Sequence, residues 1–246
     1  LLQEPRADAW LFAPPSDDMG TRLLGPEMRV LVQWRLGMPI TPEATGGVSA
    51  VACPLCRKEA LDPYGDHIMC CGQASHWGRH HALVGAVSRT WRAAGAKPVR
   101  EQRVGPSQER PADLLEMQGP NGLAIALDAT VVHPFQPSDG LHQPVAFYAG
   151  AATRAEIAKK KKYGPMCRDA GVQFVPFGMT TFGTFGESAE AMRSTWARKL
   201  APSEGPDENV RIRKELAQQL GVAVMRSVAR RLLGYLEQAN LLLEDT

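Results

Sequence analysis

A mixed α/β domain, a sheet flanked by helices with a small metal-organised unit on its N-terminal side, is the fold class predicted by three features of this 246-residue chain. Short β-rich apolar runs and helical patterns follow one another in the order α-β-β-β-α-β-α-α from His80 onward. Ahead of them, cysteines and a histidine cluster between Cys53 and Cys71 at spacings that suit a metal ion. Two aspartates, Asp113 and Asp128, sit at or within strand-like runs, where a bare carboxylate costs several kcal/mol unless something compensates it.

The elements follow in order. The first fifty residues hold Trp10-Leu11-Phe12, then Pro14-Pro15, an amphipathic stretch around Met28 to Leu36, and a Pro/Gly-rich passage from Gly37 to Gly47 that reads as a linker. Residues 53–81 combine the cysteines and histidines with the turn formers Asp62-Pro63, Gly65 and Gly72. His80 to Ala94 is helical in pattern, with Leu83, Val87 and Trp91 four apart and Gly95 as a stop. Three strands follow: Pro98 to Val104, Ala112 to Met117 and Leu123 to Val132. The last two are joined by the hairpin signal Gln118-Gly119-Pro120-Asn121-Gly122. Val145 to Cys167 reads as a helix ending near Gly171, Val172 to Thr181 as a strand, and Ser188 to Leu200 as a helix. A long amphipathic helix from about Val210 to Leu243 closes the pattern, with Gly221 or Gly234 as a point where it could break. This divides the chain into an N-terminal helical and linker segment (1–50), a cysteine-histidine unit (51–78), an α/β domain (79–200) and a C-terminal helix (201–246).

Composition bounds the function classes. A hydrophobic content of 44% is ordinary for a globular chain, and no apolar run is long enough to span a membrane. Net charge is only +2, yet Arg79, Arg89, Arg92, Lys97, Arg100 and Arg103 face the single acid Glu101 between positions 79 and 103. Lys159-Lys160-Lys161-Lys162 forms a second basic cluster. Beside a metal site such surfaces favour a phosphate-bearing partner, although a charge run taken alone reads as a solvated face. Five irregularly spaced cysteines point to a reducing compartment. A start at Leu1 in place of Met reads as a fragment of a longer product.

Cys53-x2-Cys56, His67 and Cys71 form a Cys3His set whose ligand types suit tetrahedral zinc. Cys71 is preferred to its neighbour Cys70, and four protein ligands make the ion structural. Nearby His76, His80 and His81 read as helix-start or surface residues before they read as further ligands or phosphate contacts. Asp113 and Asp128 on neighbouring strands are suited to a hard divalent cation, Mg2+ or Mn2+. Asp128 and Thr130 share one face of their strand while Leu127, Ala129 and Val131 share the other. Glu101 is either a third metal-facing acid or a solvated partner of arginines, and Lys159 and Lys162 share a helix face. Phosphodiester hydrolysis needs this combination of a metal and a cation on the phosphate.

Arg110-Pro111-Ala112-Asp113, then Leu127-Asp128-Ala129-Thr130-Val131-Val132, then Lys159-Lys160-Lys161-Lys162-Tyr163, preceded by the Cys3His set and Gly78-Arg79-His80, resembles a known pattern. It is similar to the C-terminal zinc knuckle and restriction-like endonuclease domain of R2-type non-LTR retrotransposons, a branch of the PD-(D/E)xK nucleases. The resemblance covers Cys53 to Tyr163 and, more loosely, Gly171 to Gly186. It implies a restriction-endonuclease-like sheet, metal binding by Asp113 and Asp128, a lysine at Lys159 with Lys162 as competitor, and Tyr163 in the same helix. It also implies a DNA-nicking endonuclease, a nuclear location, and a reverse-transcriptase region of the same polyprotein as partner. No Tyr/Phe-x-Asp-Asp motif occurs in this sequence, so the chain reads as a terminal piece of a polyprotein or a domesticated remnant. Ala112 splits the family's Pro-Asp pair, and Thr130 stands where many such nucleases carry their lysine. An alternative follows from the shifted Asp113: a zinc-containing nucleic-acid-binding domain that cuts nothing. A further expectation makes Leu216, Leu220, Val224, Val228 and Leu232 either a partner-docking face or, in preference, packing against the chain's own domain.

Overall fold

A computed structural model describes residues 8–40, 52–59, 62–104, 111–119, 122–135, 150–202 and 205–244. A 3-10 turn (Ala9–Phe12) and helix α1 (Gly25–Arg35) precede a short helix α2 (Asp66–Cys70) and the longer α3 (Trp77–Ala93). Then come β1 (Val99–Gln102), β2 (Ala112–Glu116), β3 (Ala124–Val132), α4 (Ala151–Asp169), β4 (Val172–Thr180), α5 (Glu187–Leu200) and α6 (Pro206–Glu244). This is a mixed α/β fold in the expected element order. The tip of the β2–β3 hairpin, most of the Gly37–Gly47 passage, Arg110 and the expected helix start at 145–149 lie outside the described residues.

The sheet runs β1-β2-β3-β4, antiparallel across its first two pairings and parallel between β3 and β4. A parallel return requires a crossover, and α4 provides it. Pro176 lies within β4, a position open to it because β4 is an edge strand of the four-stranded sheet. One sheet face contributes Leu114, Leu127, Ala129, Val175 and Phe177 to a core shared with Leu83, Val87 and Trp91 of α3 and Trp196 of α5. Phe177 stacks on Trp196 with centroids 5.6 Å apart. The other face is covered too: Leu115, Ala126 and Phe174 pack with Cys167 of α4. Asp128, on the face opposite Leu127 and Ala129, therefore lies under a helix.

Helix α6 runs without a break through Gly221 and Gly234. Gly221 has a packing reason, since a Cβ there would lie 3.2 Å from Trp10 Cβ, where the 3-10 turn crosses the helix. Leu216, Leu220, Val224, Val228 and Leu232 are all at most 5% exposed, in the same core as Leu31, Trp34 and Leu83. Each such side chain contributes about 1.5–3 kcal/mol by leaving water. That face is occupied by the chain itself, which corrects the partner-docking expectation and agrees with the packing one. Cys53, Ile68, Met69 and Cys71 belong to this core as well, so the cysteine-rich segment is buried against α6.

Candidate metal centre and acidic site

Cys53, Cys56, His67 and Cys71 converge, with their ligand atoms all within 4.8 Å of one another. Cys53 Sγ is 3.9 Å from Cys71 Sγ, and Cys56 Sγ is 3.5 Å from His67 Nε2. A tetrahedron built on the usual zinc bond lengths has edges of about 3.8 Å between sulfurs and about 3.5 Å between sulfur and nitrogen, so the donor set fits zinc. Cys71, not Cys70, completes the set; the Cys70 thiol donates to the Phe135 carbonyl at 3.3 Å. The backbone N–H groups of Lys58 and Glu59 donate to Cys56 and hold its thiol down at about 6. Burial pushes the Cys71 thiol up.

The cluster is held by residues that the spacing did not reveal. Glu59 Oε2 lies 2.9 Å from His67 Nδ1, which leaves Nε2 for the sulfur side and fixes the ring. Asp62 accepts the backbone N–H groups of Tyr64, Asp66 and His67, closing the turn that starts α2. Asp66 Oδ1 is 3.1 Å from His133 Nε2, and His133 Nδ1 is 2.7 Å from Thr181 Oγ1. His133, 2% exposed, stacks near Trp34 and Phe182 and ties the cysteine-rich segment to the ends of β3 and β4. Burial pushes its pKa down, against the pull of Asp66.

A second constellation sits where β2, β3, α3 and α4 meet. The β2–β3 register pairs Leu114 with Leu127, and the next step along it sets Asp113 against Asp128. Asp113 Oδ2 accepts the Ala129 backbone N–H at 2.7 Å and lies 3.1 Å from His80 Nε2. Lys159 Nζ lies 3.2 Å from Asp128 Oδ1 and 3.0 Å from Oδ2. Burial pushes the Asp128 carboxyl up to about 6; Lys159 opposes the rise and Asp113 adds to it. The Asp113 contact raises His80 above its ordinary value. His80 is the residue that sequence reasoning set aside, and the only hint of it was its place in Gly78-Arg79-His80.

The remaining candidates fall around this centre. Glu101 lies opposite Asp113 in the β1–β2 register, exposed, at a φ of 51°. A non-glycine residue in that region carries strain of about 1–3 kcal/mol. Lys162 Nζ donates to the Tyr163 hydroxyl at 2.9 Å, while the Lys159 ammonium is 5.5 Å from the Tyr163 ring centroid. Tyr163 packs on Phe174. Among the two lysines of the shared helix face, Lys159 is the one set on Asp128.

Helix α4 is fixed by Glu156, one turn before Lys159. Its buried carboxylate accepts backbone N–H groups of Gly178 at 2.8 Å, Ser188 at 2.8 Å and Ala189 at 3.0 Å, gathering β4 and the first turn of α5. Gly178 and Gly186 leave room for it, because a Cβ at either would collide with the Glu156 side chain. Compared with protein-family models and with curated proteins, the chain matches none. What stands is a mixed α/β domain with a buried Cys3His cluster suited to a structural zinc ion. Among the described residues, no helix is long and apolar enough to cross a membrane.

Proposed function

We propose that the domain is a divalent-metal-dependent nuclease that hydrolyses one strand of DNA, braced by a structural zinc ion at Cys53, Cys56, His67 and Cys71. The observation that carries this reading is the meeting of Asp113, Asp128 and Lys159 from two adjacent strands and the following helix. The element order and the R2-type restriction-like resemblance support it. Asp113 and Asp128 are the residues that would hold Mg2+ or Mn2+, which supplies charge neutralisation at the phosphate and a more acidic bound water. The chain's own groups do the rest. Lys159, part-exposed, is within reach of both the carboxylate and an incoming phosphate oxygen. His80 and the Ala129 backbone N–H hold Asp113 through the same oxygen, Oδ2. A nuclear location and a role in priming reverse transcription belong to this proposal through resemblance alone.

The test is nicking of supercoiled plasmid with and without Mg2+. Wild type should convert it to open circles only with the ion, and Asp128→Ala or Lys159→Met should lose the activity by at least about a hundredfold while retaining zinc. Undiminished nicking by either variant refutes the assignment.

A second reading asks less of the molecule: a zinc-containing domain that binds nucleic acid without cutting it. Two observations favour it. The Cys3His cluster stands on its own geometry, and one oxygen of each aspartate is already hydrogen-bonded, Asp128 Oδ1 to Lys159 and Asp113 Oδ2 to His80 and Ala129. Salt-sensitive binding with no Mg2+-dependent nicking decides for this reading.

A further inference from the structure

Helices α3 and α6 enclose an open groove of about 670 Å³ on the other side of α3 from the acidic site. Arg79, Arg89, Arg226, Arg230 and Arg231 line it, and no acidic side chain does so among the described residues. Glu27, buried beneath, meets two of them, 2.9 Å from Arg230 Nε and 3.9 Å from Arg226 Nε, which leaves five guanidinium groups against one carboxylate. Several are fixed before any ligand arrives. Arg231 donates to the Ile68 and Ser75 carbonyls, Arg226 to those of Gly20 and Arg22, and Arg79, 8% exposed, to that of Met69. Arg79 Nε and Arg231 Nη2 are buried without a hydrogen-bond acceptor among the described residues. Gly78 and Gly85 keep the α3 wall low.

Arg89 and Arg230 are the exposed guanidinium groups, and such forks over a glycine-lined wall, backed by the fixed charge of Arg79, Arg226 and Arg231, suit phosphodiester oxygens. Arg79 lines this groove and also a second hollow formed with Trp77, Thr130 and His80, the histidine that meets Asp113. From His80 to Arg89, α3 advances about 14 Å, the length of about four base steps. We infer that the α3–α6 groove is a second contact surface that holds the phosphate backbone of the same nucleic-acid molecule several nucleotides from the bond at Asp113 and Asp128. This rests on the proposed function for its ligand and adds the C-terminal helix to the binding surface.

The experiment measures binding of a short fluorescein-labelled DNA duplex by anisotropy as salt is raised, in zinc-retaining buffer without Mg2+, with plasmid nicking read separately. Arg89 is exposed and Arg89→Glu should weaken binding by about tenfold or more, while Arg89→Ala and Arg230→Gln should each lower the slope of log K against log salt by about one. Lys214→Glu, the same charge change elsewhere on α6, should leave binding within about twofold. Zinc content and melting temperature confirm that each variant is folded. Unchanged binding by the Arg89 variants overturns the groove and leaves the nuclease reading intact. Equal loss in Lys214→Glu overturns it in favour of overall charge, and wild-type affinity for poly-glutamate equal to that for DNA overturns it in favour of an acidic peptide. Loss of binding in the Arg89 variants with no nicking by wild type upholds the groove and removes the hydrolytic reading.

Discussion

Replacing Asp128 by Asn should make the protein more stable and abolish its proposed activity. Asp128 is 6% exposed, and burial raises its carboxyl from 3.8 to about 6. A folded-state value above the unfolded one means that the folded chain binds the proton more tightly. The ionised side chain therefore costs nothing below pH 3.8, costs progressively more up to about pH 6, and carries its full cost above that. About two pKa units correspond to about 3 kcal/mol. Asn removes this cost, which is already net of the attraction of Lys159, while its buried amide N–H groups take back about 1 kcal/mol. The net gain of about 2 kcal/mol should raise the melting temperature by about 4–8 °C near neutral pH, and the gain should vanish on acidification. Differential scanning calorimetry without Mg2+ checks this. Addition of Mg2+ should then stabilise wild type and leave the variant unmoved, because only wild type offers both carboxylates. A variant that melts lower than wild type at neutral pH, or that gains as much from Mg2+, refutes the reasoning.

Other outcomes follow from the same geometry. Chelating zinc should unfold the chain around α2 and loosen α6, since binding energies of about 10–16 kcal/mol exceed a typical domain's stability; circular dichroism and elemental zinc report it together. Glu59→Ala should weaken zinc affinity by about tenfold to a hundredfold in competition with a chromophoric chelator, with the four ligands intact. Glu156→Ala leaves two buried N–H groups and one part-buried without their acceptor and should cost about 3 kcal/mol in urea unfolding, with nicking lost as Lys159 shifts. His80 is raised by Asp113, so the pair stabilises the fold fully below the ordinary histidine value and progressively less as pH rises through the raised one. His80→Asn should accordingly cost stability in mildly acidic buffer and little in alkaline buffer, as thermal melts across pH will report.

The sequence revealed what is encoded locally. Two thiolates three residues apart, and a histidine four residues before a cysteine, are close in space because they are close in the chain. The choice of Cys71 over Cys70 followed from the same short-range geometry. Element order and type were legible from apolar periodicity, and the strand pairing of β2 and β3 from the turn formers between them. What depends on tertiary approach was not. His80 reaches Asp113 from a helix 33 residues earlier, and on its own helix it is one more histidine in a polar turn. Glu156 reads as a surface charge in a lysine-rich helix, and only the arrival of β4 and α5 makes it a buried acceptor of three N–H groups. Helical phase put Lys159 and Lys162 on one face; packing set the first on Asp128 and the second on the Tyr163 hydroxyl. Gly221 has the composition of a helix breaker, yet α6 continues through it because Trp10 needs the space.

The most direct test is anomalous diffraction from crystals of the zinc-loaded protein soaked in Mn2+. A manganese peak shared by Asp113 and Asp128, with the Lys159 ammonium drawn off the Asp128 carboxylate, is the expected result. Manganese absent from that pair, with Lys159 still seated on Asp128 and metal only at the Cys3His cluster, would contradict the nuclease assignment.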